Sequence, residues 1–162
     1  MVATNLARMF AERGHSVFLV ESDLRRPAIT RRLGLEDKVG LGNLAGDRFP
    51  NTELTAAQLI YPTDQPSLFV VPSGEKVSNP TAVLASPAMG KLMGFLGSQG
   101  QVTLLDAPPV LGMADVSVLA PRVDGVIFVV RQSYSRREAV VSALRQLQAM
   151  EARVLGVVFV HT

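Results

Sequence analysis

Three carboxylates and two arginines stand where apolar runs stop. In Val17 to Pro27, VFLVESDLRRP, four apolar residues lead into Glu21 and Asp23 and then Arg25 and Arg26. In Val102 to Val110, VTLLDAPPV, a similar run ends at Asp106, and two prolines stop further strand pairing. Ligands of parallel α/β sheets sit outside the carboxyl ends of the strands, and carboxylates there can hold a hard cation such as Mg²⁺ against nucleotide phosphates. The competing reading of each acid alone is a helix cap or a solvated loop charge. The two motifs together favour one shared, Mg-phosphate-like crevice.

Composition narrows the remaining chemistry. The 162 residues are 48% hydrophobic, enough to bury a sizeable core in one domain of ordinary size. No apolar run approaches the ~20 residues needed to span a bilayer, and no signal peptide opens the chain, so a cytoplasmic location is the expectation. The absence of cysteine excludes disulfides and thiolate metal sites, and two isolated histidines, His15 and His161, cannot form a zinc site unaided, which argues against zinc chemistry. The net charge is only +2, but Arg25, Arg26, Arg31 and Arg32 form a cluster suited to phosphate, a membrane face or an acidic protein. Aromatics make up 6% of the chain and lie mostly within apolar runs, which argues against nucleic acid as a partner.

The elements that position these groups alternate. Val2, Leu6, Met9, Phe10 and Arg13 share a helical stripe that Gly14 terminates. Strand Val17 to Val20 and a short helix near Ala28 to Leu33 precede GLGNLAG, Gly40 to Gly46, which reads as a tight loop or weak helical turn. It follows no buried strand and opens no strong helix, so it is not read as a phosphate cradle. A strand at Leu68 to Val71 leads through PSGEKVSNP to a helix from about Thr81 through Leu96, with Leu84, Met89, Leu92, Met93 and Leu96 in the core. Strand Val102 to Leu105, a helix around Asp115 to Ala120 and strand Val126 to Val130 follow. Ser135 and Glu138 suggest a capping box opening a helix whose stripe is Ala139, Ala143, Leu144, Leu147 and Met150. Strand Val154 to Val160 ends the chain. Near-continuous apolar strands separated by helices predict a doubly wound, mostly parallel α/β sheet covered on both faces, in a single domain over residues 1–162.

VFLVESDLRRP, LLDAPPV and the order of everything between them resemble the cytoplasmic domain of bacterial tyrosine kinases of the capsular and exopolysaccharide type, which are deviant P-loop ATPases. The resemblance extends through NLA at Asn5 to Ala7, GLGNLAG, Asn79-Pro80 with Leu84 beyond it, and ADVSVLAPRVDGVIFVVR from Ala114 to Arg131. It implies an ATP-dependent protein tyrosine kinase using ATP and Mg²⁺. Glu21, Asp23 and Asp106 become its catalytic and Mg²⁺-binding acids, Asp106 being the Walker B acid. Arg25 and Arg131 fall at nucleotide-binding positions, and Asp115 also matches the family pattern. Phosphoryl transfer suits such a set, because it needs positioning and charge neutralisation more than covalent help. The implied partners are a membrane-embedded polysaccharide co-polymerase acting as activator, tyrosine-containing protein substrates and further copies in a homo-oligomer. The implied place is the cytoplasmic side of the membrane.

Three departures bear on activity. No G-x-x-x-x-G-K-[ST] loop occurs in the sequence; aligned on NLA, its lysine and serine would fall just before Met1. That loop supplies most phosphate contacts, so the chain as given is expected to bind ATP weakly or not at all. The strand leading into it is likewise absent, which predicts unpaired edges and marginal stability, and Met1 is expected to be an internal methionine of a longer protein. Glu21 stands where the family usually has aspartate. The family's C-terminal tyrosine cluster is missing, leaving Tyr61 and Tyr134, neither of which reads as an autophosphorylation site. Three alternatives remain: a catalytically silent interaction module, a partition-type ATPase, and a nicotinamide-binding Rossmann half with Glu21 on the ribose. The DLRRP continuation argues against the last two.

Overall fold

The computed structural model describes residues 2–45, 55–132 and 134–161. They form two compact units, residues 1–107 and 108–162. In the first unit, helix α1 (Val2–Glu12) leads to strand β1 (Val17–Glu21) and a short helix α2 (Ala28–Arg32). A 3-10 turn at Leu41–Leu44, strands β2 (Tyr61–Pro62) and β3 (Leu68–Val71), helices α3 (Pro80–Ala85) and α4 (Pro87–Gln99) and strand β4 (Val102–Asp106) complete it.

The sheet order is β2-β3-β1-β4, with β1 parallel to both neighbours and β2 an antiparallel edge. Every residue of β1 is buried, as its unbroken apolar run requires of a strand covered on both faces. On one face Val17, Leu19, Leu68 and Val70 pack with Ala7 and Ala11 of α1 and with Ile29 of α2. Alanines on α1 let that helix lie close to the sheet. On the other face Phe18 meets Phe69, and α4 packs against β4 and the 3-10 turn. The stripe of α1 matches the sequence expectation in part: Phe10 packs against this core as expected, but Ala7 and Ala11 are the buried contacts and Met9 is 47% exposed.

The helix expected from Thr81 through Leu96 is two helices. Ser86-Pro87 divides them because proline donates no N–H and pushes the residue before it into an extended conformation. Ser86 closes α3 and caps α4, its Oγ accepting from the N–H of Met89 at 3.1 Å, and Asn79 caps α3 through Ala82. Leu84, Met89, Leu92 and Leu96 are buried, as expected, and Met93 is half-buried. Ser86→Ala should lower unfolding stability by about 1 kcal/mol in denaturant titrations, the ordinary value of such a cap.

The second unit contains α5 (Asp115–Leu119), β5 (Val126–Arg131), α6 (Arg137–Ala149) and β6 (Val154–Val160). Strands β5 and β6 pair in parallel as a two-stranded sheet of their own, where the sequence reading expects one sheet throughout, and Val116, Phe128, Val130, Ala143 and Leu147 form the core. The expectation of strands covered on both faces fails here: Ile127, Val129, Leu155, Val157 and Phe159 are exposed. The capping box at Ser135 is also corrected. Helix α6 begins at Arg137, and the Ser135 hydroxyl accepts from the backbone N–H of Arg131 instead. Among the described residues no helix is long and apolar enough to cross a membrane.

Candidate functional site: the acidic strand ends

Strands β1 and β4 run in register, so their last residues, Glu21 and Asp106, are direct partners across the ladder. The N–H of Ser22 donates to the Asp106 carbonyl at 2.9 Å, extending the pairing one step beyond β1. Two carboxylates are thus brought side by side by strand register alone. Asp23 follows in the turn, where its Oδ1 accepts from the N–H groups of Arg25 and Arg26 at 3.2 and 3.0 Å. This Asx-type turn shapes the DLRR segment.

Glu21 is fully buried. Its Oε2 accepts from the N–H groups of Ile29 at 2.6 Å and Thr30 at 3.1 Å, at the start of α2. Its Oε1 and the Ser22 hydroxyl oxygen are buried without a hydrogen-bond partner among the described residues. Burial pushes the Glu21 carboxyl up from 4.5 to about 7, against the two backbone hydrogen bonds and helped by the negative charges of Asp106 and Asp23. Asp106 is raised as well, by burial first and by Asp23. Glu21 therefore does what the competing sequence reading assigned it, satisfying the orphan N–H groups of the following helix. It also keeps one oxygen uncommitted beside Asp106.

The sign of the pH dependence follows. A carboxyl raised above its ordinary value holds its proton more tightly in the folded chain, so stability falls as pH rises between about 4.5 and about 7 and is level above that. Glu21→Gln, whose amide oxygen can still accept from Ile29 and Thr30, should remove most of this slope. At pH 8 it should be more stable than the parent by about 2 kcal/mol. Parallel urea midpoints for the two proteins from pH 4.5 to 8 would contradict the assignment.

Helix α2, whose start Glu21 caps, is tied to two loops to which the sequence reading gives no part in the site. Buried Thr30 accepts through Oγ1 from the N–H of Ser73 at 2.9 Å. The N–H groups of Leu41 and Gly42 donate to the carbonyls of Pro72 and Ser73 at 3.0 and 2.6 Å. Asn43 Oδ1 accepts from Gly40 at 2.8 Å and Glu75 at 3.3 Å. GLGNLAG is a short helical turn through Leu44, as expected, and serves as a clamp on the segment after β3. Only its lone polar residue, Asn43, hinted at this in the sequence. Thr30 and Ser73 carried no signal.

Asp115 and Arg131 lie in the second unit. Asp115 is buried in the first turn of α5, and the Arg131 guanidinium lies over the Tyr134 ring. Among the described residues no group of three or more histidine, cysteine or acidic side chains is arranged to hold a metal by itself. The mutual repulsion of Asp106 and Asp23 suits a divalent cation of the Mg²⁺ kind, which is ordinarily held by one or two carboxylates together with waters and substrate phosphates; Glu21 is buried as a helix cap and is not one of an arranged set of three.

The mostly parallel α/β arrangement, with acids at the ends of β1 and β4, is the P-loop ATPase kind of fold by its likeness to solved structures. The solved kinase domain of VpsO superposes with a TM-score of 0.87 at 28% identity, covering 99% of this chain and 76% of that one. No family model matches the sequence. The chain is 34% identical to EpsB of Ralstonia nicotianae over 159 residues, covering 98% of the chain and 20% of the relative. It is 28% identical over 156 residues to the tyrosine-protein kinase YwqD of Bacillus subtilis, covering 96% and 64%. The chain belongs to the bacterial tyrosine kinase family and matches its kinase domain. It spans a fifth of EpsB and about two thirds of YwqD.

Proposed function

We propose that this chain is part of an ATP-dependent protein tyrosine kinase that regulates polymerisation and export of capsular polysaccharide or exopolysaccharide. The observation that carries the reading is the register of β1 on β4, which sets Glu21 beside Asp106 with Asp23 in the turn beyond. Mg²⁺ would be held by Asp106 and Asp23 together with waters and phosphate oxygens, while Glu21, which the family resemblance also makes a ligand, is fully buried as the cap of α2. When bound, it would neutralise charge on the β- and γ-phosphates of ATP. Asp23 is also the proposed acceptor of the substrate tyrosine proton, since its Oδ2 is free of the backbone contacts that engage Oδ1. Glu21 fixes the start of α2 and hence the course of the DLRR turn, and Arg25 of that turn is the proposed phosphate contact.

The partners in this reading are a membrane-embedded co-polymerase as activator, tyrosine-bearing proteins as substrates and further copies of the kinase, at the cytoplasmic face of the membrane. The test is phosphate transfer from ATP to a Glu-Tyr copolymer by the protein purified from its own cells. Transfer should require Mg²⁺ and stop with a chelator. Absence of transfer in the presence of Mg-ATP and the activator would contradict it and favour a non-catalytic interaction module.

A further inference from the structure

The acidic site makes no use of Tyr134, whose setting is unlike that of an ordinary surface tyrosine. It is 77% exposed and lies in the turn between β5 and α6. That turn is braced on one residue: the N–H groups of Tyr134 and Ser135 both donate to the Arg131 carbonyl, at 3.3 and 2.9 Å, while the Ser135 hydroxyl accepts from the Arg131 N–H at 3.2 Å. The bracing brings the Arg131 guanidinium to 5.3 Å from the Tyr134 ring centroid, a cation–π contact that leaves the phenol in solvent. Arg136 and Arg137 follow at the start of α6, with Glu138 the one acid in that first turn. The turn and the helix start that follows it thus carry three arginines against one acid within four positions of an accessible phenol.

We propose that Tyr134 is a tyrosine phosphorylation site whose phosphate is held by Arg131 together with Arg136 and Arg137. The acceptor claim rests on the kinase reading, with a second copy of the protein as enzyme and ATP as donor. The phenolic oxygen attacks the γ-phosphorus and forms the new O–P bond. The bond from γ-phosphorus to the bridging oxygen breaks, ADP leaves with that electron pair, and the phenolic proton passes to a base of the enzyme. The product carries a charge of about −1.5 to −2 beside arginines that can receive it in charge-assisted hydrogen bonds. The Arg131 guanidinium, 5.3 Å from the ring centroid, would swing on its flexible side chain from the ring face to the phosphate.

Two measurements test this separately from the kinase reading. In the first, the protein is incubated with Mg-ATP, alone and with catalytic amounts of YwqD, and its phosphotyrosines are mapped by mass spectrometry. Phosphate at Tyr134, absent in Tyr134→Phe, is expected. Modification by YwqD but not by the protein itself would uphold the site and remove the kinase reading. Tyr134 unmodified in both reactions would overturn the site, and phosphate on Tyr61 in the reaction without YwqD would then leave the kinase reading standing. In the second, phosphotyrosine is installed at position 134 during synthesis and titrated by phosphorus NMR. Its second ionisation should fall roughly 0.5–1 pH unit below that of the same residue in an Arg131→Gln chain. An Arg136→Gln/Arg137→Gln chain supplies the comparison if Arg131→Gln fails to fold. Titration identical to a free phosphotyrosine peptide would overturn the arginine cradle.

Discussion

Asp106→Asn should lower tyrosine phosphorylation by the native protein by about two to three orders of magnitude, the range expected when one electrostatic contact to a transferring phosphoryl group is removed. The substitution keeps the shape of the side chain and the backbone bond from Ser22, so the ladder between β1 and β4 is undisturbed. It removes a charge whose neighbours, Glu21 and Asp23, are negative as well. The folded protein should therefore be no less stable, because burial and Asp23 both disfavour the ionised form of Asp106. Loss of transfer together with retained or raised unfolding stability separates a catalytic acid from a structural one. An unchanged rate would show that Asp106 has no part in phosphate chemistry.

Gly42→Ala should destabilise the first unit by ~3 kcal/mol or more, at the upper end of overpacking costs. A Cβ at Gly42 would collide with the Glu75 carbonyl oxygen and come within 2.9 Å of its carbon and 3.1 Å of the Ser73 carbonyl oxygen. These are backbone atoms that no rotamer change can move. Relief requires the 3-10 turn to lift from the segment after β3, which breaks the bonds from Leu41 to Pro72 and from Gly42 to Ser73. The effect then reaches Glu21, because Ser73 bonds Thr30 and Thr30 bonds Glu21. Gly90→Ala is the matched control: it lies in α4 with open space where the Cβ would stand, and should stabilise by about 0.5–1 kcal/mol. Thermal unfolding of the two variants should move in opposite directions. Equal shifts would contradict the close packing of the two loops.

What could be read from the sequence was whatever period and composition encode. The apolar runs before Glu21 and Asp106 are long enough to fix strands, and their alternation with helices fixes parallel pairing, found within a four-stranded sheet and in the two-stranded sheet of the second unit. The strand ends lay one residue further than read, so that both acids belong to the ladder itself. The two-residue strand β2 was too short to leave a pattern, and Pro87 was passed over inside an otherwise helical run. Ser135 followed by Glu138 matches a capping box, yet the hydroxyl is held by Arg131 four residues back, a tertiary choice the local pattern cannot express. For the acids, sequence named the residues and left their geometry open. Whether Glu21 points to solvent or caps α2 depends on where the chain returns after Pro27, which is settled by the burial of Ile29 against β1 and β3.

The most direct test of the account is calorimetric titration of the protein from its own cells with ATP, carried out with and without Mg²⁺ and repeated with Asp106→Asn. The account predicts binding that requires Mg²⁺ and is lost or weakened at least tenfold in the variant. Mg²⁺-dependent binding that is the same in both proteins, or no binding by the native protein, would contradict the assignment of the acidic strand ends as a nucleotide and cation site.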